Sequence, residues 1–281
     1  MANKLDDLVL HDDTKSRLND YLSRPGHALM LSGPIGCGLG TIAKALANQI
    51  AGANTIYIKP TQHNKQKTVI INADDIAELS MIVRDRRGNS SLAVVIDGAD
   101  QASAGVFERM LKLIEEPVVG VHYIFTAHCL DNIPATIMSR SSLIKVELPT
   151  SGQCLELYRG CDATKTAQIR FIADRRPAQI IRLLVDSEGD FERQSMLVSL
   201  AKEFLQGSVS RRLEIVNEIT EREVGVQYCN NLSKLLRVTS ANKVANPHQL
   251  GARLDLIDKT ATNLSATGNV KIQLTNLALN F

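Results

Sequence analysis

The chain has 281 residues, of which 44% are hydrophobic and 22% are charged, a composition typical of a globular protein with a sizeable core. Its formal net charge of +2 is too small to indicate that the protein as a whole binds nucleic acid electrostatically. Any contact with DNA therefore has to be local or shared with partners. The cysteines are odd in number and include no C-x-x-C pair, which disfavours both a disulfide framework and a zinc module. They are Cys37, Cys129, Cys154, Cys161 and Cys229.

No stretch has the apolar length of a signal-peptide core or of a membrane-spanning helix. The sequence therefore predicts a protein that is neither exported nor embedded in a membrane. A reducing cytoplasm is the simplest location for such a chain, and we expect no metal site.

A glycine-rich segment between an apolar strand and a helix resembles a phosphate-binding loop without its reactive residues. Residues 29–41 read LMLSGPIGCGLGT, and the loop positions are Gly33, Pro34, Gly36 and Gly38. A working P-loop continues with Lys, which reaches the β- and γ-phosphates, and then with Ser or Thr, which ligates Mg²⁺. Leu39 and Gly40 occupy those two positions here, and Lys44 lies a full turn into the helix. The loop can still direct backbone N–H groups at an anion, although a chance glycine turn explains this segment equally well.

Apolar strands alternate with amphipathic helical segments in the first half of the chain, a pattern that predicts a parallel α/β sheet. One of these helices begins at Asp74 and Asp75, whose carboxylates suit the positive end of a helix dipole. The predicted strands are Ala28 to Leu31, Val69 to Ile71, Leu92 to Ile96, Val121 to Thr126 and Leu143 to Leu148.

The strand at residues 92–96 ends in Asp97, the place where P-loop proteins hold Mg²⁺ with a carboxylate. In a hydrolysing protein the next residue is a Glu that polarises the attacking water, whereas this chain has Gly98. Asp97 alone is better explained as a helix cap or a surface charge, but its occurrence with the glycine-rich loop in the same sheet favours a nucleotide site.

Further along, residues 107–117 read FERMLKLIEEP and residues 133–141 read IPATIMSRS. The first is an amphipathic helix closed by a proline, and the second is a proline-started helix that presents Ser139 and Arg140 at its end. An arginine after a helix is usually solvated or caps the helix.

The strand signal disappears after Thr150, where only helical segments follow. Turn-rich sequences at residues 149–152 and 187–189 predict the boundaries of two further parts. The predicted helices are 155–160, 163–174, 177–185, 191–205, 210–236, 248–266 and 269–279.

Taken in order, GPIGCG, VVIDGADQAS, MLKLIEEP and TIMSRS resemble the AAA+ clamp-loader subunits of bacterial DNA polymerase III, with delta-prime as the most similar type. In that family the arginine of a Ser-Arg-Cys motif, here Arg140, reaches the ATP site of the adjacent subunit. This chain has Ser141 in place of the Cys. The run DRRPAQIIRL resembles the lid helix that often carries a second-sensor arginine, and Ala178 takes that position. The family's zinc-binding cysteines are absent.

The resemblance implies a P-loop (AAA+) α/β domain over residues 1–149, a helical lid over 150–188 and an all-helical collar for oligomerisation over 189–281. It implies a non-hydrolysing subunit that supplies Arg140 in trans as an arginine finger during sliding-clamp loading. Gly33, Pro34, Gly36, Gly38 and Asp97 are then a vestigial nucleotide site, and no cofactor is expected. The implied partners are gamma/tau-type and delta-type subunits and, through the complex, the sliding clamp and primer-template DNA.

Three alternatives stay open on the sequence. One is an ATP-hydrolysing clamp-loader subunit related to gamma, against which Leu39, Gly40 and Gly98 argue. Another is an inactive AAA+ adaptor or nucleic-acid-binding module outside clamp loading. The third is a stand-alone α/β protein with accidental motifs. We also expect apolar residues of the collar, such as Ile215, Val216, Leu232 and Leu235, to exceed what an isolated bundle buries and so to join the ring.

Overall fold

The computed structural model describes residues 4–62, 69–84, 90–186, 189–241, 247–266 and 268–281. Its strands are β1 (Ala28–Ser32), β2 (Thr55–Ile58), β3 (Thr61–Gln62), β4 (Val69–Ile70), β5 (Leu92–Ile96), β6 (Val121–Ala127) and β7 (Ser142–Lys145). Five of them pair in parallel in the order β2-β5-β6-β1-β7. All residues of β1 and β5 are buried, because a sheet covered on both faces requires strands that are apolar throughout.

The helices number twelve in the described part of the chain, beside short 3₁₀ segments. They are α1 (Asp12–Ser23), α2 (Leu39–Ala51), α3 (Ala73–Arg84), α4 (Ala104–Glu115), α5 (Ala135–Met138), α6 (Ala163–Ala173), α7 (Pro177–Val185), α8 (Asp190–Gln206), α9 (Val209–Glu218), α10 (Arg222–Ala241), α11 (Pro247–Ala266) and α12 (Val270–Asn280). None of the described helices is both long enough and apolar enough to cross a bilayer.

The prediction of a parallel sheet is confirmed, but one of its strands was misplaced. The segment at 69–71 was expected in that sheet, whereas β4 pairs antiparallel with β3 in a separate two-stranded sheet. The fifth parallel strand is β2, which the sequence did not predict. It has only four half-buried residues at the sheet edge, so it lacks the continuous apolar run by which β1 and β5 are recognised.

Two other predicted elements differ in the structure. The helix predicted over 210–236 is two helices, because Ile219 is extended (φ −93°, ψ 102°) and ends α9. The segment at 155–160 forms a 3₁₀ helix, Gln153–Tyr158, and not an α-helix.

The chain forms two compact units. The first comprises the described residues of Met1–Thr166 and Ala173–Ile181, and the second comprises those of Ala167–Ile172 and Arg182–Phe281. In the first unit the sheet carries an apolar cluster on each face, with α3 and α4 covering one face and α1 and α2 covering the other. The three-part division drawn from the sequence stays a prediction.

In the second unit, the apolar residues expected to face other subunits lie inside the chain's own core. Ile215, Val216, Leu232 and Leu235 are all buried by neighbouring helices. These residues are apolar because α8 to α12 pack on one another. The expectation that the helices carry more apolar residues than the bundle itself buries was wrong for these positions.

Candidate functional site

The parallel strands β1, β5 and β6 end at one edge of the sheet, and a pocket of about 390 Å³ opens there. The loop between β1 and α2 and the residue after β5 form its walls, together with Tyr57 from β2, His128 after β6 and Ala178 from α7. In α/β sheets this edge is where ligands bind. Of the predicted residues, Gly36, Gly38 and Asp97 line this pocket, whereas Gly33 and Pro34 are not among its lining residues.

The glycine-rich loop is held by contacts within the first unit. Gly36 (φ 86°) and Gly38 (φ 95°) adopt the left-handed conformation that favours glycine. The carbonyl of Gly36 accepts a hydrogen bond from the Ala178 N–H at 3.0 Å. The carbonyl of Gly33 accepts another from His128 Nδ1–H at 2.8 Å, while Pro34 is exposed. The loop therefore keeps the backbone form of a phosphate-binding loop but is fastened at two of its carbonyls.

Cys37 belongs to this loop, and its side chain is buried beneath it, with the residue 3% exposed. Burial raises the pKa of its thiol to about 11, so the thiol is neutral at physiological pH. The underside of the loop is therefore apolar packing.

The two positions that carry the chemistry of a working loop have other roles here. Leu39 begins α2 and is 2% exposed within the apolar cluster of that face. At Gly40, a Cβ atom would stand 2.5 Å from Asp97 Oδ2 and 3.0 Å from the Tyr57 hydroxyl. Since real Cβ atoms do not approach other atoms so closely, no Ser or Thr fits at Gly40 without a shift of Asp97 or Tyr57.

Both carboxylate oxygens of Asp97 accept hydrogen bonds from side chains of the chain itself. Tyr57 OH donates to Oδ2 at 2.6 Å, and Thr126 Oγ1–H donates to Oδ1 at 2.6 Å. Thr126 Oγ1 in turn accepts the N–H of Gly98 at 2.8 Å. Asp97 therefore links β2, β5 and β6, and Tyr57 stands on the side where the metal-binding hydroxyl of a working loop belongs.

The environment of Tyr57 keeps its phenol protonated. Burial and, after it, the hydrogen bond and charge of Asp97 raise the pKa of Tyr57 far above its ordinary value. The Lys44 ammonium lies 4.6 Å from the centre of the Tyr57 ring, the geometry of a cation–π contact. Tyr57 is thus a permanent donor to Asp97, and Lys44 lies over its ring.

Gly98, which stands where a hydrolysing protein has Glu, also has a backbone reason to be glycine. Its φ is 79°, and a Cβ atom there would stand 3.1 Å from Pro60 Cγ. A glutamate would be strained at this position, so the residue that polarises water cannot be restored without rebuilding the turn.

Arg140 lies at the opposite edge of the sheet. It follows α5 and precedes β7, and β7 starts beside Leu29 at the beginning of β1, whereas the glycine loop follows the end of β1. The four-residue strand alone spans roughly 10 Å between these edges. Arg140 therefore lies at the far end of the sheet from this chain's own pocket, and its side chain is 42% exposed.

The guanidinium of Arg140 is fixed by two helices. Nη2 pairs with Glu115 Oε1 at the end of α4 at 2.9 Å. Nη1 donates to the Thr136 carbonyl in α5 at 3.1 Å and to Ser139 Oγ at 3.4 Å. Arg140 is exposed, and the contact with Thr136 shows that it also caps its own helix.

Sequence reasoning missed Tyr57 and His128, which line the pocket, and the buried Thr126, which donates to Asp97. Tyr57 lies on the strand that was not predicted, so nothing placed it beside Asp97. Thr126 is the last residue of a predicted strand and His128 lies two residues after it, and their position at its carboxyl end was the signal that could have found them.

Comparison with known proteins agrees with this architecture. Residues 14–150 match the family model described as DNA polymerase III, delta subunit. The DNA polymerase III subunit gamma of Buchnera aphidicola subsp. Acyrthosiphon pisum (strain APS) is 28% identical over 144 residues, which are 45% of this chain. The match spans only 40% of the length of that relative.

Solved structures share the fold at low identity. A DNA polymerase III gamma subunit-related protein from Thermotoga maritima superposes with a TM-score of 0.60 at 12% identity, covering 95% of this chain and 98% of that one. The RuvB Holliday junction branch migration motor of Thermotoga maritima superposes with a TM-score of 0.51 at 15% identity, covering 90% of this chain and 85% of that one. The solved structures show the shared fold, and the ordered motifs together with the two sequence matches support a bacterial clamp-loader subunit of the AAA+ family.

Proposed function

We propose that the chain is the delta-prime-like member of a DNA polymerase III clamp loader, which hydrolyses no ATP itself and supplies Arg140 to the ATP site of a neighbouring subunit. A fixed guanidinium beside a γ-phosphate stabilises the charge of the transition state and is worth about 10³ to 10⁵ in rate at the site it serves. The nucleotide pocket of this chain is vestigial in this proposal. Its partners are gamma/tau-type and delta-type subunits, and it reaches the sliding clamp and primer-template DNA through the assembled ring.

The observation that carries the proposal is the state of Asp97. Its two oxygens accept from Tyr57 and Thr126, and the residue that should bring a metal-binding hydroxyl is Gly40, where a Cβ atom would collide with Asp97. Position 39, where a working loop has its phosphate-binding lysine, is Leu39, and the Lys44 ammonium that lines the pocket lies over the Tyr57 ring. Three separate requirements of ATP hydrolysis are thus missing from one pocket.

The location of Arg140 supports the other half of the proposal. An arginine at the amino ends of the strands cannot reach a nucleotide at the carboxyl ends of the same sheet. If Arg140 acts on ATP, that ATP belongs to another subunit. In this proposal residues 150–188 form the lid and residues 189–281 the collar that joins the ring.

A gamma-like ATPase is the second candidate, because the curated relative is a gamma subunit. Two measurements on the purified chain separate the candidates. The proposal expects no steady-state phosphate release from ATP and co-elution with a gamma-type subunit in gel filtration. Phosphate release above the buffer rate that disappears in Asp97→Ala would establish the gamma-like reading, and failure to bind a gamma-type subunit would remove the clamp-loader role.

A further inference from the structure

We propose that Glu115 is a positioning residue for Arg140, holding its guanidinium in the orientation that a neighbouring γ-phosphate requires. This inference rests on the proposed trans role of Arg140 and adds a second residue to it. It starts from the pair between Arg140 Nη2 and Glu115 Oε1, 2.9 Å apart.

Arg140 follows a helix of only four residues, α5, so its backbone alone does not fix a long and flexible side chain. Glu115 is the last residue of α4, a helix of 12 residues whose Val106, Met110 and Ile114 are buried against the sheet. The carboxylate is therefore carried by a more firmly packed element than the arginine is. The ion pair with Glu115 therefore restricts the motion of the Arg140 guanidinium.

Two contacts from different helices fix the plane of the guanidinium. Glu115 holds Nη2, while the Thr136 carbonyl holds Nη1 at 3.1 Å. The Nε–H of Arg140 has no hydrogen-bond partner among the described residues. A phosphate can therefore approach the Nε edge while both anchoring contacts persist, which avoids the loss of side-chain freedom that an untethered arginine would suffer on binding.

The chain offers a matched control in the next residue. Glu116 is also exposed and carries the same charge, and its side chain forms no ion pair with any described residue. Replacing Glu115 or Glu116 by alanine changes the net charge equally. Only the first change removes the contact with Arg140.

The test uses clamp-loader complexes reconstituted with gamma-type and delta-type subunits, the clamp and primed DNA, each shown to contain the variant chain. Glu115→Ala should lower the hydrolysis rate of the one site that Arg140 serves by about two- to fivefold, the effect of losing one exposed ion pair, and should leave KM for ATP unchanged. The kcat of the whole complex should therefore fall by less than it does with Arg140→Ala. Glu115→Gln, whose amide oxygen still accepts from Nη2, should recover part of that loss. Glu116→Ala should match wild type.

A double-mutant cycle separates positioning from a general structural role. In the Arg140→Ala background, Glu115→Ala should cause no further loss, because its only effect acts through Arg140. Equal rates for Glu115→Ala and Glu116→Ala, or an undiminished loss in the Arg140→Ala background, would overturn the positioning role while leaving the trans role intact. Wild-type rates for Arg140→Ala itself would overturn the trans role and this inference together.

Discussion

At the carboxyl ends of the strands, Asp97 has both oxygens hydrogen-bonded by Tyr57 and Thr126, whereas at the amino ends Arg140 keeps a partly exposed charge. The first edge has the shape of a nucleotide site, but its polar side chains are hydrogen-bonded to one another and connect the strands to α2. The second edge presents a guanidinium oriented by two helices. In the proposed function, the first edge has lost its chemistry while the second acts on a neighbouring subunit.

The largest expected effect comes from restoring the consensus residues of the loop. The double substitution Leu39→Lys and Gly40→Thr places a charged side chain at a position that is 2% exposed and a Cβ atom 2.5 Å from Asp97 Oδ2. We expect the free energy of unfolding to fall by about 3 kcal/mol or more in urea titrations. We also expect no ATP turnover, since Gly98 leaves the attacking water without a base.

Gly105→Thr is the matched control for that experiment. Gly105 is the second residue of α4 as Gly40 is of α2, and a Cβ atom there meets nothing within 4 Å. Its substitution should change stability by less than about 0.5 kcal/mol. ATP turnover by the double variant, or a stability equal to that of Gly105→Thr, would contradict the account of this pocket.

Removal of the shared carboxylate should have a smaller effect. Asp97→Ala leaves the hydroxyls of Tyr57 and Thr126 without their acceptor, and hydrogen bonds to a charged group are worth about 1.5 to 3 kcal/mol each. Because Asp97 is partly exposed, water replaces some of the lost hydrogen bonds, and we expect the free energy of unfolding to fall by about 2 kcal/mol. Tyr57→Phe, which removes one of the two bonds, should lose about half as much.

Asp131→Ala is a suitable comparison, because Asp131 is exposed and its side chain has no hydrogen bond to any described residue. It should remain within about 0.5 kcal/mol of wild type. If Asp97→Ala proves as stable as Asp131→Ala, then Asp97 does not serve as the structural link between the strands.

The smallest expected effect is a dependence of stability on alkaline pH. Burial raises the pKa of Cys37 to about 11 from its ordinary 9.0, so between these values the unfolded chain loses a proton that the folded chain retains. The free energy of unfolding should therefore fall as pH rises above 9, by at most about 1.4 kcal/mol per pH unit for this one group. Cys229, whose pKa burial raises to about 12, adds to the same trend.

Denaturant titrations between pH 8 and 10.5 measure this slope. Cys37→Ala should make it less steep, whereas substitution of the exposed Cys129 should leave it unchanged. A slope that is identical in Cys37→Ala and wild type would show that the thiol ionises as readily in the folded chain as in the unfolded one.

The sequence was sufficient to predict the elements that a continuous run of residues marks. The buried strands β1, β5 and β6 and the glycine loop were recognisable because each is a local run with its own composition. The pairing of Asp97 with Tyr57 was not, since it joins residues 40 positions apart and one of them lies on a short edge strand. The contact of Arg140 with Glu115 was missed for the same reason, although both residues lie in motifs that the sequence singled out.

The most direct test of the account is ATP hydrolysis by clamp-loader complexes reconstituted with Arg140→Ala, in the presence of clamp and primed DNA. Arg159→Ala is the control, because Arg159 is also an exposed arginine that pairs with a glutamate. We expect Arg140→Ala to fold as wild type. Stimulated hydrolysis should fall in part, because one of several sites is affected, and clamp loading should fall further. Arg140→Lys should resemble the alanine variant, since an ammonium lacks the planar fork that matches phosphate oxygens. Rates equal to those of Arg159→Ala, in a complex shown to contain the Arg140→Ala chain, would reduce Arg140 to a residue that caps its own helix.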